Sequence, residues 1–230
     1  MKVSLNKRIE QYHYIEAQSN PNSYSTESVQ KMIVNIEYAN VDSKYKVIQI
    51  TSTLASEGKT TLVGNMAYLF SQRKHRVLLI ELDLRKPKIN RMFGVSRENG
   101  ITDYLSGHAK KEDIIQSTDY GLDFIVAGSA TDVVSNILES KKLKELIEEL
   151  KGEYDYILVD SPPVMVNADA LITSKLVDGI VYVIGYNKVK KNYIRNAIKE
   201  LRRNDIDILG VAFTQVKMPK RHSYYYYQND

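Results

Sequence analysis

Short apolar runs alternate along this chain with longer segments in which apolar residues recur every three or four positions. The runs lie at 47–50, 77–80, 124–126, 156–159, 180–184 and 209–213. A continuous apolar run bounded by polar residues is typical of a parallel strand that is buried on both faces. Strands that alternate with helices predict an α/β fold, in which a mostly parallel sheet has right-handed crossovers and helices on both faces.

Three segments have the period of an amphipathic helix. The first follows the first apolar run and would bury Leu62, Val63, Met66, Ala67, Leu69 and Phe70. The second would bury Leu143, Leu146, Ile147 and Leu150. The third follows the period less strictly and would bury Val189, Tyr193, Ala197 and Leu201.

The junction between the first strand and the first helix reads Ser-Glu-Gly-Lys-Thr-Thr. A Gly-Lys-Thr in that place ends a phosphate-binding loop of the P-loop NTPase type. Backbone N–H groups and the helix N-terminus face the anion, the lysine reaches the β- and γ-phosphates, and the first threonine hydroxyl binds Mg²⁺. The predicted ATP-binding residues are Ser56, Glu57, Gly58, Lys59, Thr60 and Thr61.

The loop departs from the full pattern G-x-x-x-x-G-K-[ST], because Thr53 occupies the position of the first glycine. A Gly-Lys-Thr triplet also arises by chance, and the alternative is a helix start with an incidental lysine. The order of strand, loop and helix favours the phosphate loop. The sequence therefore predicts binding of ATP or GTP.

Two further apolar runs end in carboxylates. The run at 77–80 is followed by Glu81 and Asp83, and the run at 156–159 is followed by Asp160. Carboxyl ends of parallel strands face the crevice where open α/β sheets bind ligands. Asp160 fits the Walker B aspartate that holds Mg²⁺ or its water shell. The alternatives are a turn residue before proline for Asp160 and a solvated loop for the other two.

These motifs, together with a tyrosine cluster near the C-terminus, resemble the BY-kinases, the bacterial tyrosine autokinases of capsule and exopolysaccharide synthesis. That family combines a Walker A loop, an apolar run followed by D-x-D-x-R (Walker A′), an apolar run followed by D-x-x-P (Walker B), and C-terminal tyrosines. The counterparts here are Ser56–Thr61, Glu81–Arg85, Asp160–Pro163 and Tyr224–Tyr227. Their order and approximate spacing match over essentially the whole chain.

The resemblance implies an ATP- and Mg²⁺-dependent protein-tyrosine kinase that modifies a neighbouring subunit. The implied catalytic residues are Asp83, Glu81, Lys59 and Arg85. The implied magnesium residues are Thr60, Asp160, Glu81 and Asp83. The implied phosphoacceptors are Tyr224, Tyr225, Tyr226 and Tyr227. It also implies self-association and a separate transmembrane activator that would hold a cytoplasmic protein at the inner face of the membrane.

Several residues depart from the family pattern. Glu81 replaces the first aspartate of D-x-D, and Ser56 replaces a glycine of the loop. Gln30 and Ile33 stand at the two arginine positions of the oligomerisation motif E-x-x-R-x-x-R, and Thr214 stands where relatives often have asparagine. A catalytically weak nucleotide-binding scaffold is therefore one alternative function.

A MinD/ParA-like positioning ATPase is the other alternative, since such proteins share the sheet and the Walker A′ region. They carry an additional lysine early in the loop, where this chain has Leu54. That leucine and the tyrosine cluster argue against this class.

The remaining composition predicts one domain over residues 1–217, with an N-terminal extension and helix at 1–44, and a flexible tyrosine-rich tail at 218–230. The sequence contains no cysteine, which fits a reducing cytoplasm. We expect no signal peptide, no membrane span and no metal beyond nucleotide-bound Mg²⁺.

The C-terminal region is basic, since residues 187–230 contain ten Lys or Arg and four Asp or Glu. This basic region suits either a solvated helix face or an anionic lipid or acidic partner, and no segment resembles a nucleic-acid reader.

Overall fold

A seven-stranded sheet forms the centre of the molecule. The computed structural model describes residues 15–40 and 45–217. The strands are β1 Val47–Ser52, β2 Val77–Glu81, β3 Gln116–Ser117, β4 Leu122–Ile125, β5 Tyr156–Asp160, β6 Gly179–Gly185 and β7 Ile208–Thr214. Their order across the sheet is β3-β4-β2-β5-β1-β6-β7. Every pairing is parallel except that of β3 with β4. The predicted α/β fold with a mostly parallel sheet is confirmed.

Ten helices lie within the described ranges. They are α1 Glu16–Ser19, α2 Tyr24–Ala39, α3 Lys59–Gln72, α4 Ile89–Phe93, α5 Ile101–Leu105, α6 Lys111–Ile114, α7 Val134–Leu138, α8 Lys141–Glu153, α9 Asp169–Ser174 and α10 Lys191–Arg203. Side chains cap two of the longer helices, since Ser23 accepts a hydrogen bond from Thr26 N in α2 and Ser140 accepts one from Leu143 N in α8.

The helices cover both faces of the sheet because successive strand residues point to opposite sides. Ile48 and Ile50 of β1 pack with α1 to α4 in one apolar cluster, whereas Val47 packs with α5 to α8 in another. A third cluster joins β6 to α9 and α10. The buried positions predicted for α3 and α8 are all buried in the structure.

The third predicted helix needs a correction. Ala197 and Leu201 of α10 are buried, but Tyr193 is 44% exposed, and Val189 precedes the helix. Ile194 and Ile198 are the partly buried residues that accompany Ala197 and Leu201. Ile194, Ala197, Ile198 and Leu201 form a second apolar stripe that overlaps the predicted one, and this second stripe is the one that packs against β6.

Side chains of β7, an edge strand of the sheet, are partly exposed. At β7, Val211 and Phe213 are 46% and 64% exposed. A groove of about 850 Å³ runs between β7, α2 and the start of α3.

Within the part of the chain that the structure describes, no helix is long and apolar enough to cross a membrane. The tyrosine cluster at 224–227 lies outside the described residues.

Candidate active site

The phosphate loop connects β1 to α3 at the carboxyl edge of the sheet. Gly58 has φ 87° and caps the N-terminus of α3, and Ser56 has φ 66°. The left-handed conformation causes no steric strain in glycine but is uncommon for serine. The loop therefore holds Ser56 in a conformation that the usual glycine would adopt easily. Lys59 and Thr60, the first residues of α3, are both buried. The first N–H groups of a helix have no intrahelical partner, which makes this turn an anion-binding element.

A buried carboxylate fixes the loop to the sheet. Glu57 is fully buried, and its Oε1 accepts a hydrogen bond from Leu54 N at 2.6 Å. Its Oε2 accepts one from Gly185 N, at the end of β6, at 2.9 Å. The Thr214 hydroxyl donates to the Glu57 carbonyl oxygen. One residue thereby joins the start of the loop to the ends of both β6 and β7.

The threonine that replaces the first loop glycine is part of this support. Thr53 is fully buried, and its hydroxyl lies 2.7 Å from the Tyr182 hydroxyl. At the other side of the loop, Gln215 donates to the Ser56 carbonyl at 2.8 Å. The departures from the glycine-rich pattern are therefore accompanied by side-chain hydrogen bonds that hold the loop.

Three buried carboxylates lie near the loop lysine. Lys59 Nζ lies 2.8 Å from Asp83 Oδ2 and 3.7 Å from Asp160 Oδ1. Glu81 and Asp160 are register partners on β2 and β5. Burial would lower the pKa of Lys59, but the charges of Asp160 and Asp83 outweigh it and raise that pKa above its usual value.

Glu81 differs from the other two because its partners are backbone N–H groups. Its Oε1 accepts from the N–H groups of Lys88 and Ile89, the latter at 3.1 Å. Burial, reinforced by the charge of Asp160, raises the pKa of Glu81 to about 8 despite these bonds. Lys88 caps α4 and Ile89 begins it, so the longer glutamate side chain reaches a helix start that follows the Walker A′ segment.

The predicted site residue Arg85 lies slightly apart from this group. Its Nε lies 2.6 Å from Asp169 Oδ2, and Ser135 Oγ donates to Asp169 Oδ1 at 2.8 Å. The hydrogen bond to Asp169 raises the pKa of Arg85. Asp169 is 1% exposed, whereas the Arg85 side chain is 44% exposed. The arginine is thus held at the mouth of the site by a buried carboxylate.

The donor set fits a magnesium ion bound together with phosphates. Both carboxylate oxygens of Asp160, and Oε2 of Glu81, are buried and accept no hydrogen bond from the part of the chain that the structure describes. Burial raises the pKa of Asp160, although Lys59 opposes this effect. Among the described residues, no group of three or more His, Cys, Asp or Glu forms a complete metal cage. Mg²⁺ suits such a site because it takes many of its ligands from phosphates and water.

Comparisons with known proteins agree with this geometry. The family described as AAA domain matches residues 45–207. The tyrosine-protein kinase YwqD of Bacillus subtilis (strain 168) is 33% identical over 228 residues, which cover 99% of this chain and 96% of the relative. This chain belongs to the bacterial tyrosine kinases of capsule and exopolysaccharide synthesis. Another member, the tyrosine-protein kinase CpsD of Streptococcus agalactiae, is 30% identical over 79% of this chain and 80% of its own length.

Solved structures of family members have the same fold. The BceF tyrosine kinase domain superposes with a TM-score of 0.81 at 31% identity and covers 92% of this chain and 87% of its own. The chimerical protein CapA2B2 gives 0.85 at 26% identity, with 89% and 90% covered. The septum site-determining protein MinD of Pyrococcus horikoshii gives only 0.62 over 72% of this chain. The positioning ATPases are thus more distant relatives in fold than the tyrosine kinases.

The sequence predicted the Walker residues but not the contacts that support them. It assigned Glu57 to nucleotide binding by position, whereas its carboxylate joins the loop to β6. It did not pair Arg85 with Asp169, and 84 residues separate the two in the chain. Ile33, at the second arginine position of the oligomerisation motif, is fully buried inside the subunit, so it belongs to the core. No sequence spacing could have revealed these contacts, since they depend on the order of the strands.

Proposed function

We propose that this tyrosine kinase transfers the γ-phosphoryl group of ATP to the tyrosines at 224–227 of a neighbouring copy, and so regulates capsular or exopolysaccharide synthesis. The observation that carries this proposal is the position of Asp83. Its buried carboxylate follows β2 and lies 2.8 Å from the ammonium group of the phosphate-loop lysine. A carboxylate beside the lysine that reaches the γ-phosphate is suitably placed to accept the proton of an incoming hydroxyl group.

Each residue of the site has a role in this reaction. Lys59 and the loop N–H groups would hold the β- and γ-phosphates, and Thr60 and Asp160 would hold Mg²⁺, which neutralises phosphate charge. Asp83 would accept the tyrosine proton as the phenolic oxygen bonds to the γ-phosphorus and the bond to the β-phosphate oxygen breaks, which leaves ADP. A phenol with a pKa of ~10 is protonated at neutral pH, so this proton acceptor has a clear function.

Glu81 and Arg85 would act on either side of that centre. One oxygen of Glu81 accepts hydrogen bonds from backbone N–H groups, and the other accepts none from the described residues. That second oxygen is available to the metal or to its water shell. Arg85, held by Asp169 at 2.6 Å, would brace the phosphate or the acceptor from the mouth of the site. Both roles are supported by position and by family membership.

We also propose that a separate transmembrane activator holds the kinase at the inner face of the cell membrane, and that copies associate for transfer in trans. Family membership supports both ideas. The replacement of the two motif arginines by Gln30, which is exposed, and by buried Ile33 means that any association would use contacts different from that motif.

The direct test is incubation of the full chain with ATP and Mg²⁺, followed by detection of phosphotyrosine and phosphopeptide mapping. We expect label on residues 224–227. A variant with phenylalanine at all four positions should lose most label and keep ATP binding, because only hydroxyl groups are removed. Mixing that variant with a Lys59→Met chain distinguishes transfer in trans, since the Lys59→Met chain should then be labelled by its partner.

Two results would contradict the proposal. Label that maps mainly to a tyrosine within residues 45–217 would refute the assignment of the acceptors. Absence of label from wild type, even with the cytoplasmic segment of a candidate activator, would favour the scaffold function. ATP hydrolysis without label would instead favour the positioning ATPases.

A further inference from the structure

Helix α10 carries a row of positive charges on its outer surface. Lys191, Arg195, Lys199 and Arg202 are all exposed, and their spacing of three to four residues places them on one side of the helix. Arg203 extends the row at its end. The opposite side, with Ala197 and Leu201, is fully buried against β6. The helix therefore presents a continuous basic ridge to its surroundings.

These cations are not neutralised within the part of the chain that the structure describes. No carboxylate oxygen there lies within 4.0 Å of their charged nitrogens. The contrast with lysines elsewhere is clear: Lys111 contacts Glu149 and Glu153 at 2.6 and 2.7 Å, and Lys151 contacts Asp178 at 2.9 Å. Like charges that recur every four residues along a helix destabilise it. Lys191, Arg195 and Lys199 follow that spacing, whereas Arg202 and Arg203, in the last turn, interact favourably with the helix dipole. Folding of the described residues therefore does not account for the first three cations.

The shape and chemistry of the ridge fit a flat anionic surface. Thirteen helical residues span about 20 Å, and the long side chains of lysine and arginine can reach a plane of phosphates together. Ile194 and Ile198 are half-buried beside the row and give it an apolar flank. Lys188 and Lys190, both exposed, add charge just before the helix. This face is a wide, open depression of about 620 Å³ that is lined by the row of cations and by its two isoleucines. Several anionic headgroups can approach such a face together from one side.

We propose that the outer face of α10 is a contact surface for the anionic headgroups of a phospholipid membrane. This contact is separate from the nucleotide site. Among the described residues, no hydrogen bond or ion pair joins α10 to the phosphate loop, which is held instead by Gly185, Thr214 and Gln215. The interaction is electrostatic, so each cation near the surface contributes roughly fivefold to binding, and salt weakens it.

The experiment measures sedimentation of the full chain with vesicles, in the absence of ATP. One set of vesicles is phosphatidylcholine, and the other contains about one-third phosphatidylglycerol. We expect binding to the anionic vesicles at about 0.1 M salt, and at least tenfold weaker binding at about 0.5 M. The variant Arg195→Glu/Lys199→Glu/Arg202→Glu should bind the anionic vesicles at least tenfold more weakly than wild type.

The matched control is Lys74→Glu/Lys110→Glu/Lys144→Glu, which changes net charge equally at exposed lysines outside α10 and its apolar cluster. It should keep more than half of the binding. Equal losses in both triple variants, equal binding to neutral vesicles, or no binding to anionic vesicles would each overturn the proposal. So would tighter binding to an acidic polypeptide or a DNA fragment than to the vesicles. The kinase reaction is not involved, so this result stands apart from the proposed function.

Discussion

Lys59 and Asp83 form a buried ion pair, with Nζ 2.8 Å from Oδ2, at the point where the phosphate loop faces the end of β2. The same ammonium group lies 3.7 Å from Asp160. One cation therefore balances two buried carboxylates that come from different strands. Asp83 also accepts a hydrogen bond from Lys86 N through its other oxygen, at 3.2 Å. The pair links the group that would bind phosphate to the group that would accept the proton.

Removal of the lysine should affect both activity and stability. Lys59→Met takes away the loop cation aimed at the transferred phosphate, and we expect phosphotyrosine formation to fall by about 10²–10³-fold, by comparison with deletion of oxyanion-stabilising groups. It also leaves two buried carboxylates unpaired, which should cost about 3–5 kcal/mol of unfolding free energy. Lys144→Met, at an exposed position of α8, is the control for both measurements. Wild-type labelling by Lys59→Met would refute the phosphate-loop assignment.

The role of Asp83 can be separated from that of the lysine. Asp83→Asn keeps the shape and an oxygen that accepts from Lys59, but an amide is a poor proton acceptor. We therefore expect transfer to be lost while Mg²⁺·ATP binding, measured by equilibrium titration with a fluorescent nucleotide, is retained. An equal loss of binding and transfer would show that Asp83 acts on the ground-state complex, and the proton-acceptor role would then be wrong.

The raised pKa of Glu81 gives a dependence of stability on pH. The folded chain holds the Glu81 proton up to a pKa of about 8, whereas the unfolded chain loses it near 4.5. The contribution of Glu81 to the free energy of unfolding is fully present below pH 4.5. It is lost as the pH rises towards 8, at up to about 1.4 kcal/mol per pH unit. Glutamine has no proton to lose in this range. The free energy of unfolding of Glu81→Gln, relative to that of wild type, should therefore increase between pH 5 and pH 8. Denaturant unfolding of both proteins at several pH values, without nucleotide or Mg²⁺, measures this difference. A difference that does not change with pH would contradict the raised pKa of Glu81.

The length of Glu81 matters for its bonds to α4. An aspartate would be shorter by one methylene and would not reach the N–H groups of Lys88 and Ile89 that Oε1 now contacts. We expect Glu81→Asp to lower the unfolding free energy by about 1–3 kcal/mol, the cost of leaving buried donors unpaired. Glu98→Asp, at an exposed site, should be neutral. Unchanged stability with full or higher kinase activity would mean that glutamate is merely a lengthened version of the aspartate usual in the family.

Glu57 offers a test of how the loop is held. Its two oxygens accept from Leu54 N at 2.6 Å and Gly185 N at 2.9 Å, and glutamine can satisfy only one of these donors because its NH₂ group would face the other. Glu57→Gln should weaken ATP binding by about tenfold, which corresponds to a loss of about 1–2 kcal/mol. Glu98→Gln is the matched control. Unchanged affinity for ATP would show that the loop keeps its form without this clamp.

The sequence by itself determined the class of fold, and it predicted where the chemistry takes place. Apolar runs of strand length, separated by segments of helical period, required buried strands and covering helices, and both α3 and α8 bury the residues that the period indicated. The Gly-Lys-Thr after the first strand, and the carboxylates after two others, predicted a site at the carboxyl edge of the sheet. These features are local in the chain, so they can be read without knowledge of distant contacts.

Only the tertiary structure decided which of these groups meet and what holds them. The strand order sets β2, β5 and β1 side by side, and this brings Lys59 between Asp83 and Asp160. The same order places β6 beside β1, so that Glu57 can join the loop to Gly185 across 128 residues of chain. In α10, the choice between two apolar stripes depended on the surface of β6. Such contacts follow from long-range packing, for which a single sequence contains no periodic signal.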